Sequence, residues 1–480
     1  MRIGKLRGGA ATAAALLLLG TLCSNGAEAK TPPAPGTADA HQVISEWAQR
    51  VSATVDPEGS LRAPEEAVWH TYVSLAMYNA VVGIEGRYTP YRWRVAAPRG
   101  ASAEAAAATA AYQVLLTGFP KAGPLLRSAW TASLARVPDG PGEQAGVAFG
   151  KRAAQHLMAL RADDDRGASV PFSPSSTPGG WRPAPPRYGP FATAWIGRLR
   201  PFLMDEPGRF RPGPPPEPTS MRYARDLAEV KSYGAKNGSR RSAWQTETAL
   251  FVARVDIQRA LGDRAARHGF DVTETARLYA AANTVMMDAM IAAWDAKLHY
   301  ATWRPITAIR EADRDGNPAT RADPAWEPLL ATPEHPDYLS GHAATAGALM
   351  RTLETLLGTS RVDLDIHSVG IGTTRHYEHS AEYLRDVVDA RVWSGIHTRS
   401  ADIVGSATGK RVAEWTLRRH FLETRASAPM PATGPKGKHM KSAPKIGQPS
   451  RSSQPLSEFA ERMQAGSRSD SPKGKLRSNS

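Results

Sequence analysis

The chain has 480 residues, 41% of them hydrophobic, 22% charged and 7% aromatic, with a mean hydropathy of −0.39. That is enough apolar material for one large domain or two, and it excludes both a short stapled scaffold and a polytopic membrane protein. The formal net charge of +14 reads first as a nucleic-acid signature, but residues 425–480 alone hold 11 Lys/Arg against 3 Asp/Glu, so the rest of the chain is much closer to neutral and no nucleic-acid partner is expected.

At the N-terminus Arg2, Lys5 and Arg7 precede an apolar stretch from Ala10 to Leu22 and then Ala27-Glu28-Ala29. This is the pattern of a cleaved export signal over residues 1–29, and the stretch is too short for a bilayer anchor. Leu22 before Cys23 argues against a lipoprotein site, which wants a small residue there. The expectation is an exported protein, secreted, wall-associated or periplasmic, with no transmembrane anchoring. Cys23 is the only cysteine and leaves with the signal, so chemistry must rest on His, carboxylate, Ser or a bound ion.

From 40 to 164 the apolar spacing is helical, with Val43, Trp47 and Val51, then Val68, Tyr72, Leu75 and Tyr78, then an Ala-rich stretch around Ala105 to Leu116. Residues 165–220 form a Pro-rich loop; 14 of the 38 prolines fall between 171 and 218, which forbids continuous helix. Trp181, Tyr188, Trp195 and Phe202 should pack and order it. Helical spacing resumes over 221–424, near Ser242 to Leu261, Thr273 to Leu298, Gly341 to Leu357 and Thr398 to Phe421, with Thr273 as a start signal and Gly358 as a stop. The fold class is all-α: two helical bundles joined by a Pro-rich ordered loop. Residues 425–480 have the composition of a basic disordered tail, suited to weak binding of an anionic surface.

No HExxH, GxSxG or CxxC is present. Gly405 to Lys410 is one residue short of a Walker loop and reads as small residues packing a helix. Three other pieces carry chemistry. Lys297 and Arg304 are separated by six residues. Ser340-Gly341-His342 opens a helix, with Ser340 a natural N-cap and Gly341 allowing close backbone approach, so its free N–H groups form an anion site. Arg391 lies six residues before His397, which leads into another helix. Alone, each reads as solvated charge or a plain capped helix. Together they supply three cations, directed neutral donors and two histidines, an inventory for binding and turning over a tetrahedral oxyanion.

These spacings resemble the three-part signature of the vanadium-dependent haloperoxidases and type 2 phosphatidic acid phosphatases. Trp294-Asp295-Ala296-Lys297, Arg304-Pro305-Ile306-Thr307 and Asp315-Gly316-Asn317-Pro318 resemble the bacterial haloperoxidase branch, over about residues 40–420. The resemblance implies an oxyanion site in the C-terminal bundle. It makes His397 the axial ligand of a vanadate cofactor, or the nucleophile of a phosphatase, and gives the oxygens to Lys297, Arg304, Ser340, Gly341 and Arg391. His342 becomes the acid/base and Lys297 the group that polarises bound peroxide. The implied activity is oxidation of halide by hydrogen peroxide, with a halide or small organic substrate; the alternative is an acid phosphatase working through a phosphohistidine. A rival of another class is a non-catalytic cell-surface binding protein, which the intact His342 and His397 speak against. Oligomeric state is not legible.

The chain departs from the signature in three places. Leu339 stands where Pro is usual, which predicts a looser anion loop. Ala390 removes a hydroxyl, and Ala401 stands in place of a common Asp, with Asp402 beside it as the candidate substitute. His335 aligns with a position that is His in algal bromoperoxidases, which favours bromide; a loop His with no role reads as well. Trp294, one turn before Lys297, either walls the site or packs the core. His376 and His379 form an HxxH that lacks a third spaced metal ligand and reads as surface histidines.

Overall fold

Helical spacing over the N-terminal third builds α1 (Gln42–Val55), α2 (Ala63–Glu85), α3 (Ala103–Gly118), α4 (Gly123–Leu134) and α5 (Pro141–Leu160). The structure, a computed structural model, describes residues 42–57 and 63–424; the export signal and basic tail expected at 1–29 and 425–480 lie outside the described residues. After the Pro-rich segment come α6 (Met221–Tyr233), α7 (Ala243–Ala253), β1 (Val255–Asp256), α8 (Ile257–Arg267), α9 (Val272–Tyr300) and α10 (Pro305–Arg310). The described residues end in α11 (Gly341–Leu357), β2 (Arg361–Ser368), β3 (Thr374–His379), α12 (Ser380–Trp393) and α13 (Arg399–Leu417). The class is all-α with one small antiparallel sheet in the order β1-β2-β3. No helix among the described residues is long and apolar enough to cross a membrane.

Helices α2, α3 and α5 pack as one group and α9, α11 and α13 as another; α2 also lies against α9, so one hydrophobic core runs through both. Glycines set the closest contacts. A Cβ on Gly409 of α13 would stand 1.9 Å from the Ala344 carbonyl oxygen, and one on Gly405 would stand 2.7 Å from that of Ser340. The small residues from Gly405 to Gly409 therefore press α13 onto the start of α11. That contact brings the turn ahead of α13, with His397, beside Ser340.

The Pro-rich segment is held by two carboxylates seven residues apart on α9. Asp288 accepts from the backbone N–H groups of Phe202, Leu203 and Met204 at 2.8, 2.8 and 2.9 Å. Asp295 accepts from Arg211 Nε and Nη2 at 2.7 and 2.8 Å. Trp181 and Phe202 are buried as expected, whereas Tyr188 is 63% exposed and anchors nothing.

Two boundaries differ from the sequence reading. The helix expected from Ser242 to Leu261 breaks at Arg254, because Val255 and Asp256 pair with Ser368 and His367 of β2 and Asp256 then caps α8 by accepting from Arg259 N. Helix α9 starts at Asp271, whose carboxylate accepts from Thr273 and Glu274 N–H in a capping box with Glu274, a stronger cap than the hydroxyl of Thr273.

Candidate functional site

The cap of Ser340 fixes the centre of the site. Its Oγ accepts from Ala343 N at 3.4 Å while its own N–H donates to the Ala401 carbonyl at 3.1 Å. The loop before it is not loose, as the missing proline predicted. Asp337 N donates to Thr302 O, Tyr338 N to Thr302 Oγ1, and Leu339 is fully buried. Hydrogen bonds and apolar burial replace the stiffness of the ring.

Gly341 is required by Trp294. A Cβ at position 341 would lie 2.7 Å from Trp294 Cζ3. Trp294 is 3% exposed, packs in the core, and also stands 4.9 Å from the His335 ring and 5.6 Å from Lys297 Nζ, centroid distances in both cases. It therefore does both jobs the sequence left open, core and wall.

Lys297, one turn beyond Trp294, is fully buried; Nζ donates to the Pro336 carbonyl at 2.6 Å and the Asp337 carbonyl at 3.0 Å. An ammonium has three hydrogens, so one remains for a ligand. Arg304, the last residue before α10, is fully buried as well. It donates from Nε to the His335 carbonyl, from Nη1 to the Ile396 carbonyl, and from Nη2 to His335 Nδ1 at 3.0 Å. Arg391, 3% exposed, has a buried Nε with no partner.

His397 is 1% exposed. Its Nδ1 donates to Asp337 Oδ1 at 2.7 Å, while Thr398 Oγ1 donates to Asp337 Oδ2 at 2.7 Å. With the hydrogen on Nδ1, Nε2 is a lone pair, and Arg304 Nη1 donates to it at 3.2 Å. Burial first, then the charges of Arg304 and Lys297, hold this imidazole well below its usual range, so it is neutral.

The other groups respond to the same crowding. Burial, then Arg304, keeps Lys297 well below the usual lysine range, against Asp337 and Asp402; a bound anion acts with those two carboxyl groups and favours the ammonium that offers the third hydrogen. Burial pushes Arg304 and Arg391 down to about 10, and both stay charged at neutral pH. Burial raises Asp337, against Arg304, and raises Asp402 well above its ordinary value, against the Ser340 hydroxyl and Arg391. His342 is the exposed member, at the mouth. The Arg391 charge, the largest cause, holds its ring below the ordinary value, with the Ala253 carbonyl opposing; the exposure of the side chain weakens the part played by desolvation. His335 is half-buried and held low by burial and by Arg304.

Lys297, Arg304, Ser340, Gly341, Arg391 and His397 thus converge, with Trp294, His335 and Asp402 around them and His342 on the solvent side. Residues 277–423 match the family described as the VCPO second helical-bundle domain. The vanadium chloroperoxidase of Curvularia inaequalis is 26% identical over 265 residues, a stretch covering 44% of this chain and 42% of that protein. In fold, the chain is similar to a bacterial vanadium-dependent iodoperoxidase, with 22% identity, a TM-score of 0.68, and coverage of 82% of this chain and 100% of that one. A holo-type bacterial vanadium-dependent chloroperoxidase is similar at 19% identity and a TM-score of 0.60, covering 76% and 95% of the two chains. The family match thus falls on the part of the chain that holds the site, and the likeness in fold extends over most of the chain.

An oxyanion fits this donor set. Three buried cations face the two carboxylates of Asp337 and Asp402, Arg391 Nε is an orphaned buried donor, and Lys297 keeps one free hydrogen. A tetrahedral anion supplies both the missing charge and the missing acceptors.

Asp337 is the functional residue that sequence reasoning missed. It sits inside Glu334-His335-Pro336-Asp337-Tyr338, where attention fell on His335. The available signal was charge balance: three cations bound for burial need carboxylates, and an Asp three residues before Ser340 could reach. Asp402 lies on α13, fully buried, close enough to influence Lys297, Arg304 and Arg391. It supplies counter-charge, while Asp337 holds His397.

Proposed function

We propose that this chain is an exported vanadate-dependent haloperoxidase-like enzyme that oxidises halide, bromide ahead of chloride, with hydrogen peroxide. The observation that carries this reading is the neutral His397, Nδ1 held by Asp337 and Nε2 an unprotonated acceptor beside Arg304, set among buried basic groups of which Arg391 keeps an unpartnered Nε. Vanadate in such a cage supplies a Lewis-acid centre that activates peroxide oxygen towards halide without changing its own oxidation state.

The chain's own residues would divide the work. Lys297, Arg304 and Arg391 neutralise the oxyanion, and the Ser340 hydroxyl and the Gly341 N–H direct hydrogen bonds to it. Asp337 fixes the tautomer of His397, so that Nε2 faces the anion. His342 stands at the mouth with a neutral ring able to take or return one proton. His335, which accepts from Arg304 beside Trp294, is the residue set to tune the halide, and the bromide preference rests on it.

A second reading is favoured by the Asp337–His397 pair itself. A carboxylate-held imidazole with an unprotonated Nε2 is equally a nucleophile toward phosphorus once the Arg304 contact turns to the phosphate, with His342 protonating the leaving alcohol. The test is purified protein assayed for peroxide-dependent bromination and for phosphate ester hydrolysis, each with and without orthovanadate. Bromination that needs vanadate supports the first reading. Ester hydrolysis that vanadate abolishes overturns it in favour of the second.

A further inference from the structure

The sheet gathers a separate set of ionisable groups away from the oxyanion site. Along β2, Val362, Leu364 and Ile366 are buried, so strand alternation puts Asp363, Asp365 and His367 on the outer face. On β3, Tyr377 is buried, which leaves His376 and Glu378 facing outward. The register sets Asp365 opposite His376, and an irregularity between Arg361 and Leu364 interrupts the pairing where Asp363 lies. Bulges re-aim side chains. Here one ligand atom each of Asp363, His376 and Glu378 comes within 4.8 Å of the others.

His376 is the informative residue. Its Nδ1 donates to Asp365 Oδ1 at 2.9 Å, and its Nε2 faces Glu378 Oε2 at 3.1 Å and Asp363 Oδ1 at 4.0 Å. With the hydrogen on Nδ1, Nε2 is a lone pair set against two carboxylate oxygens. Three such atoms repel one another unless a positive charge lies between them. A proton on Nε2 satisfies one contact well; a divalent ion satisfies all three. A histidine whose far nitrogen is tied to a carboxylate is also how proteins orient metal-binding imidazoles.

The outward-facing oxygens are already engaged. Arg361 pairs with Glu378 Oε1, Arg267 with Asp365 Oδ2, and His268 with Asp363 Oδ2. Arg267 also stands 3.5 Å from Asp363 Oδ1, and Arg264 3.9 Å from Asp363 Oδ2. These cations offset part of the carboxylate charge; only Arg267 approaches an oxygen that faces His376 Nε2, Asp363 Oδ1, and it does so at 3.5 Å, while the other contacts fall on the far oxygens. They also argue against a hard ion such as calcium, which needs several unshared oxygens. One imidazole with two carboxylates suits a borderline ion at low coordination number.

We propose that Asp363, His376 and Glu378 form a zinc-type divalent metal site that ties β2 to β3, with Asp365 as the residue positioning His376. The site includes His376 of the HxxH but not His379, which instead takes part in the cap of α12. It is independent of the oxyanion chemistry, whose buried cations repel a divalent ion.

The test is calorimetric titration of the full chain with zinc chloride, with cobalt(II) absorption as a second readout of nitrogen ligation. The expected result is one saturable site. His376→Ala should abolish it, Glu378→Gln should weaken it, and Asp365→Asn should weaken it roughly 10-fold to 100-fold, while His379→Ala leaves it unchanged. These side chains are on the surface, and circular dichroism checks that each variant is folded. Absence of saturable zinc binding to the wild type overturns the proposal. So does binding that survives His376→Ala, or that His379→Ala removes just as completely.

Discussion

Gly341→Ala tests whether the start of α11 is held in place by Trp294. The added Cβ would lie 2.7 Å from Trp294 Cζ3 and 3.2 Å from Cη2, against about 3.5–4.0 Å for ordinary carbon contact. About 1 Å must be recovered. The indole cannot yield freely, because it is 3% exposed and lies against His335 and Lys297. If the loop yields instead, Ser340 and the N–H groups after it move by about that distance relative to Lys297, Arg304 and Arg391. Misplacement of about 1 Å costs on the order of 10²-fold, or about 2.7 kcal/mol at about 1.36 kcal/mol per tenfold. Overpacking should add about 1–3 kcal/mol of lost stability. The assay is calorimetric binding of orthovanadate, and of phosphate, to wild type, Gly341→Ala, Trp294→Phe and the double variant. Trp294→Phe removes the colliding benzo-ring atoms, so Gly341→Ala should be nearly neutral in that background, giving a coupling energy of about 2 kcal/mol. Binding by Gly341→Ala within twofold of wild type, or an equal loss in both backgrounds, would refute the reasoning.

Asp337→Ala strands the buried His397 Nδ1–H and Thr398 hydroxyl and deletes a counter-charge beside Arg304, which should cost about 3–5 kcal/mol in denaturant unfolding; Asp337→Asn keeps an acceptor for His397 and should cost about half, and equal losses would show that Asp337 does not orient the ring. His342 is depressed chiefly by the Arg391 charge, so a bound anion, which offsets that charge, must raise it. Binding should then take up a proton and tighten as pH falls between the free and bound values. Calorimetry in buffers of different ionisation enthalpy should give a larger uptake for wild type than for His342→Ala at the same pH, and identical uptake would rule out this linkage. Asp288→Ala orphans three backbone N–H groups, each costing about 1–3 kcal/mol, and should open residues 171–218 to limited proteolysis. Asp205→Ala, whose partner Arg209 is on the surface, should be silent; equal protection of the segment in both variants would mean that Asp288 is not its anchor.

What could be read in the sequence was local. Ser340 and Thr398 both act as N-caps, Gly358 ends α11 with a φ of 68°, and the small residues from Gly405 do pack a helix, because each of these signals involves residues within one or two turns. What could not be read depends on partners far along the chain. The β2–β3 hairpin gains its third strand only because β1, 105 or more residues before its partner strand, finds β2, and that pairing breaks the helix expected through Arg254. The order of the Pro-rich segment comes from its own aromatics, as Trp181 and Phe202 show, together with Asp288 and Asp295, two carboxylates in an otherwise apolar stretch of α9.

The same division runs through the site. Its cations and histidines announce themselves by spacing, since each hangs on a helix terminus that the local sequence specifies. Asp337 and Asp402 do not, because a counter-charge is defined by what it neutralises. Yet burial makes them obligatory: Lys297, Arg304 and Arg391 could not all lie at 3% exposure or less without carboxylates nearby. Two acidic groups against three basic ones leave the cage with an excess of basic groups, which favours an anion over a cation. A third would cancel the excess charge and leave His397 Nε2 with nothing to draw an oxyanion toward it, whereas losing one of the two would raise the cost of burying the cations themselves. The inventory of acids near Ser340 and His397 is therefore as diagnostic of this chemistry as the basic residues by which it was first read.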